Sequence, residues 1–88
     1  MDRIERGTRN LEKLRSITTR KGRGQLTLWN PTAAKTYSHT VWATDAGLLV
    51  QVYDALSDGA AHSYLELIAT ASGYLRALEF AWSHAFRR

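Results

Sequence analysis

The sequence predicts an α+β fold. It reads as an N-terminal helix over residues 1–16, a three-stranded antiparallel meander over 17–43, a short helix over 45–57 and a long amphipathic helix over 60–86. Three observations carry this reading. Apolar residues recur at helical spacing near the start and, far more strongly, over the last third of the chain. Between these segments lies a β-branched stretch punctuated by glycines and by Asn30-Pro31. Finally, 88 residues with 44% apolar and 23% charged content suit one compact domain with a core of its own.

In the first element, Ile4, Leu11 and Leu14 share one side of a helix, with Gly7 on the same stripe. Asp2 with Arg6 and Glu5 with Arg9 are acid-before-base pairs one turn apart, each supporting the helix by roughly 0.2–0.5 kcal/mol. Gly7 costs about 1 kcal/mol relative to Ala in a helix interior, so on an apolar stripe its use is close approach to another element. Arg6, Arg9 and Lys13 form a second, basic stripe that faces away from Ile4 and Leu11.

Ile17-Thr18-Thr19 reads as a short first strand, followed by the turn Arg20-Lys21-Gly22-Arg23-Gly24. Residues 25–29 alternate as a second strand, with Leu26 and Leu28 facing one way and Trp29 the other, beside Gln25 and Thr27. Asn30-Pro31 marks a loop, and residues 36–42 are again β-rich. Asp45 is placed to cap a helix whose stripe is Leu49, Val52, Tyr53 and Leu56, with a strand over 48–53 as the alternative. Over 60–86, Tyr64, Leu67, Ile68, Ala71, Tyr74, Leu75, Leu78, Trp82, Ala85 and Phe86 fall on one helical face. Unbroken, that helix would be about 40 Å long. It would overshoot a core whose radius of gyration should be near 12 Å. Only a break at Gly73, cover from the first helix or a second molecule would resolve the overhang.

The formal charge of +4 hides a split. Residues 1–24 hold eight bases and three acids, residues 25–86 hold Lys35 and Arg76 against five acids, and Arg87 and Arg88 close the chain. A polyanionic partner selects such a basic end.

Several classes are excluded or disfavoured. The absence of cysteine removes disulfides, thiolate catalysis and sulfur-ligated zinc. No apolar run approaches the roughly 18 residues of a membrane span, and Met1-Asp2-Arg3-Ile4-Glu5-Arg6 opens no secretory signal, so a cytoplasmic protein with no membrane partner is expected. His39, His62 and His84 sit in separate segments, and His62 with Glu66 makes half of a metal site that nothing completes. With no carboxylate dyad and no glycine-rich phosphate loop, neither catalysis, cofactor nor metal is expected.

Two functions lead, ahead of a structural subunit of a larger assembly. The first is a small non-enzymatic protein-interaction module, a regulator or inhibitor of the type phages and mobile elements encode. It would act by occluding a protein or nucleoprotein partner with an acidic surface. Nine Arg and twelve Ala, both with GC-rich codons, fit a high-GC bacterium or its phage. Leu65 and Phe80, which point off the main helical face, are its candidate apolar contacts, and a homodimer through the last helix would cover the overhang. The alternative is direct DNA or RNA binding. Arg6, Arg9, Lys13, Arg20, Lys21 and Arg23 would then meet phosphates while Trp29 stacks a base.

Overall fold

The computed structural model describes residues 2–20 and 22–86, with His84 and Phe86 described by backbone alone. Its elements are α1 (Arg3–Thr19), β1 (Arg23–Asn30), β2 (Lys35–Trp42), α2 (Ala43–Ala55), α3 (Asp58–Leu67) and α4 (Ala71–Phe86). The class is α+β, with four helices and one two-stranded antiparallel sheet among the described residues.

The expected third strand does not exist, because α1 runs on through it. Asp2 caps the helix by accepting the Glu5 N–H at 2.8 Å. Ile17 then lands one turn beyond Leu14 on the buried stripe of Gly7, Leu11 and Leu14. Burying an isoleucine is worth about 1.5–3 kcal/mol, against a few tenths per residue for β-branched reluctance to be helical. Thr18 and Thr19 turn their hydroxyls back onto the Leu14 and Ser16 carbonyls.

Gly22, at φ +135°, reverses the chain into β1. The hairpin pairs Arg23 with Trp42 at one end and Asn30 with Lys35 at the other. Its turn is held by the Asn30 side-chain oxygen, which accepts the Thr32 N–H at 3.0 Å. Leu26, Leu28 and Val41 face the core. Two bonds fix the orientation of the β1 backbone. The Trp29 N–H donates to the Ala69 carbonyl at 3.0 Å, and the Thr27 carbonyl accepts from the Asn10 side chain at 3.0 Å. Residues 23, 25, 27 and 29 therefore point their backbone groups away from β2. Opposite them, Thr36, Ser38, Thr40 and Trp42 point theirs away from β1, onto the outer edge of β2. The Ala43 N–H bonds to the Gly22 carbonyl at 2.8 Å, continuing the same alternation.

Residues 43–55 are helical, which decides the open choice at 48–53 against a strand. Ala46, Leu49 and Val52 are the buried side of α2. Asp45 is not its cap. Trp42 holds that position without a side-chain bond, and Asp45 in the first turn accepts from the Trp82 indole N–H at 3.0 Å.

The predicted long helix is broken at residues 68–70. Thr70 Oγ1 accepts the Gly73 N–H at 3.2 Å and so opens α4. At Gly73 a Cβ atom would fall on the Leu67 carbonyl, so this corner requires glycine. The break also changes the phase of the apolar stripe. Tyr74, Ala77 and Ala81 are buried, while Leu75, expected in the core, is 56% exposed. No overhang arises, and the radius of gyration is 12.2 Å.

Gly7 lets α1 cross α3 in contact, since a Cβ atom there would sit on the Leu65 carbonyl. Three residues further along α1, Asn10 is only 2% exposed. Its amide donates to both Thr27, on β1, and Ile68, at the α3–α4 corner. The Tyr64 hydroxyl donates to the Leu49 carbonyl at 3.0 Å, joining α3 to α2. Burial pushes the Tyr64 phenol well above its usual pKa, with Tyr74 adding to the shift. Tyr74 is pushed up to about 12 by burial and by nearby Asp45.

Candidate nucleic-acid interface

Residues read separately in the sequence meet on one surface around the outer face of the hairpin. Alternation places Arg23, Gln25, Thr27 and Trp29 on that face, and the register adds Thr36, Ser38, Thr40 and Trp42. α1 runs alongside β1 in the opposite sense. Arg6 lies by Trp29, Asn10 by Thr27, and Ile17 by Gly24. Around the helix from Asn10 and Ile17, at 3.6 residues per turn, Arg6, Lys13, Arg20 and Arg9 follow in order within about a quarter turn. Of the acids on α1, Asp2 and Glu5 lie one turn before Arg6 and Arg9, and Glu12 falls on the side of the helix opposite Asn10. Arg15 lies on the opposite flank, where it pairs with Asp54 on α2 at 2.7 Å. That hydrogen bond holds Arg15 above and Asp54 below the ordinary value of each.

Two guanidinium groups sit on tryptophan rings at opposite ends of the face. Arg6 is 5.5 Å from the Trp29 ring centre, and Arg23 is 5.5 Å from that of Trp42. Such contacts are worth about 0.5–1 kcal/mol at exposed sites and hold each ring in place. Six residues of strand separate Trp42 from Thr36, the partner of Trp29, a span of about 20 Å. Between the stacks the side chains are Gln25, Thr27, Ser38 and Thr40. No acid occurs from residue 13 to residue 44, so the whole hairpin and its leading turn carry only positive charge.

Arg6, Arg9, Lys13, Arg20, Arg23 and Trp29 are thus gathered around one face, while Lys21 lies outside the described residues. Trp42, 55% exposed, belongs to the same surface but was not singled out in the sequence. Its signal was the alternation after Val41, which turns it outward. Of the two expected apolar contacts, Leu65 is buried in the core beneath α1 and cannot meet a partner. Phe80 is 56% exposed and lines a groove of about 300 Å³ between α2 and α4, with Leu48, Val52, Leu56 and Ala85.

His39 lies on β2 with its ring 5.0 Å from that of Tyr74, and His62 lies on α3. Among the described residues no three His, Asp or Glu side chains gather where they could hold a metal ion. No helix among them is long and apolar enough to cross a membrane. Compared with known proteins, the chain matches no family model, no curated protein and no solved structure.

Proposed function

We propose that this is a non-enzymatic protein that binds single-stranded nucleic acid across the outer face of the β1–β2 hairpin. The supporting observation is the pair of Arg–Trp stacks, Arg6 on Trp29 and Arg23 on Trp42, at the two ends of one acid-free sheet face. Phosphates meet Arg9, Lys13 and Arg20 along the α1 flank, and unpaired bases stack against the tryptophans. Gln25, Thr27, Ser38 and Thr40 offer hydrogen-bond groups between them. Stacking on a flat face needs bases that are free of a duplex, which favours single strands.

Fluorescence anisotropy of labelled single- and double-stranded oligonucleotides at several salt concentrations tests this. The expected result is single-strand binding that weakens steeply with salt through counterion release. Trp42→Ala should lower affinity by about 1–3 kcal/mol, the usual worth of one base stack. Arg20→Ala with Arg23→Ala should flatten the salt slope. Absence of binding at low salt, or binding indifferent to both changes, overturns the proposal.

A second reading, a module that binds and occludes a partner protein, is supported by the apolar groove between α2 and α4 with Phe80 at its side. Phe80→Glu would abolish capture of such a partner and leave oligonucleotide binding intact.

A further inference from the structure

We propose that two copies of this chain join through β2, edge to edge and antiparallel, to form a four-stranded sheet. The two edges of the sheet differ. That of β1 is occupied where Trp29 bonds to Ala69 and Thr27 to Asn10. That of β2 presents the backbone groups of Thr36, Ser38 and Thr40 and the N–H of Trp42, whose carbonyl belongs to the first turn of α2, and nothing among the described residues pairs with them. Exposed edges are usually protected by proline, by a bulge or by central charges. β2 has an unbroken register with β1, no proline and a single lysine, Lys35, at its very start.

The occupant follows from the spacing. With a two-fold axis through His39, Ser38 faces Thr40 of the second copy and Thr36 faces its Trp42. All four outward-pointing residues of each strand are then hydrogen-bonded. Ser–Thr pairs lie on the outer face, and Tyr37 lies opposite Val41 of the second copy on the inner face. Both are favourable cross-strand combinations. Among the described residues the large exposed apolar ones are Tyr37, Trp42, Leu75 and Phe80, and this pairing brings the first two into the interface. Moving the axis to Ser38 instead sets Trp42 against Ala34, whose φ of +53° takes it out of the strand. A foreign strand would use the same backbone groups without this match of side chains.

The axis stands normal to the sheet, so both outer faces lie on the same side. The association needs no nucleic acid. Each hairpin carries Arg23 and Lys35 with no acid, so the copies repel and dimerisation strengthens as salt rises. That is opposite in sign to nucleic-acid binding.

Sedimentation velocity from micromolar to millimolar protein, at low and high salt, tests the proposal. It is expected to show a monomer–dimer equilibrium shifted towards dimer by salt. The chain has no cysteine, so single thiols report the register. His39→Cys sets two Cα atoms about 4.5 Å apart across the axis, within disulfide reach. Thr36→Cys sets its two thiols about 20 Å apart. His39→Cys should cross-link many times faster. Ser38→Pro removes an N–H that points away from β1, so the circular dichroism of the monomer should be retained and the dimer lost. Thr40→Lys should weaken the dimer too, by setting like charges on diagonally neighbouring positions of the two β2 strands. A monomer at every concentration and salt, equal cross-linking of the two thiols, or dimers unaffected by both Ser38→Pro and Thr40→Lys would each overturn the proposal. So would a dimer broken by Phe80→Glu alone, which would place the contact at the α2–α4 groove.

Discussion

The side-chain amide of Asn10 donates to the carbonyl of Ile68 at 2.8 Å, across 58 positions of sequence. Its other bond, to Thr27, uses the second amide hydrogen, so one buried side chain ties α1, β1 and the α3–α4 corner together. Replacing it by Ala leaves both carbonyls without this donor. We expect Asn10→Ala to lower stability by about 2–4 kcal/mol, read as a drop in the urea midpoint. Asn10→Asp should be at least as damaging, because a carboxylate would then face two carbonyl oxygens.

Gly7→Ala offers a test in which local and tertiary effects oppose each other. In an isolated helix the change favours folding by about 1 kcal/mol. Here the added methyl meets the Leu65 carbonyl, so α1 must move off α3. We expect a net loss of about 1–3 kcal/mol, the usual cost of overpacking, measured by thermal melting. A gain in stability would show that the two helices do not cross in contact.

Ala34→Gly should act in the other direction. Ala34 is the non-glycine residue with positive φ among those described, at +53°. Left-handed backbone costs an L-residue roughly 1–2 kcal/mol, offset in part by the entropy glycine loses on folding. The expected outcome is a gain of up to about 1 kcal/mol and a higher melting temperature.

Alkaline pH should unfold the protein through Tyr64 and Tyr74. Both phenols are pushed above the usual value near 10, Tyr74 to about 12. Their contribution is intact below pH 10, where the phenol is neutral in both states. It is lost progressively as pH rises from 10 towards 12, because the unfolded chain ionises first. Urea midpoints at pH 8, 10 and 11 should fall over that window. Tyr64→Phe should be weaker at pH 8, having lost its bond to Leu49, but should show a shallower alkaline decline.

The elements near the termini of the hairpin show why some of this fold was legible in the sequence and some was not. Alternation over residues 25–29 and 36–42 gave the two strands and the outward aim of Trp29, because strand periodicity is a local property. The close crossing at Gly7 was equally readable from its place on an apolar stripe. Ile17-Thr18-Thr19 misled because propensity favours a strand, while the deciding term was burial against elements that follow later in the chain. The break at 68–70 was hidden by an apolar pattern that continues through it. What breaks the helix is Thr70 capping Gly73 while Trp29 takes the Ala69 carbonyl, a contact 40 positions distant. The same holds for Asn10, whose burial depends on partners 17 and 58 positions away. Leu65 pointed off the main stripe for the same reason, since α1 covers it from another direction.

The joint at Asn10 also makes the first helix of the fold depend on residues far along the chain. α1 precedes in the chain the segments that complete its apolar stripe and its amide, the latest of them at residue 68. A lone amphipathic helix of 17 residues is marginal in water. α1 meets β1 at Thr27 and α2 at Asp54, but until residue 68 has been synthesised the Asn10 amide lacks one of its two partners, and the Gly7 side of the helix has no completed α3 corner to pack against.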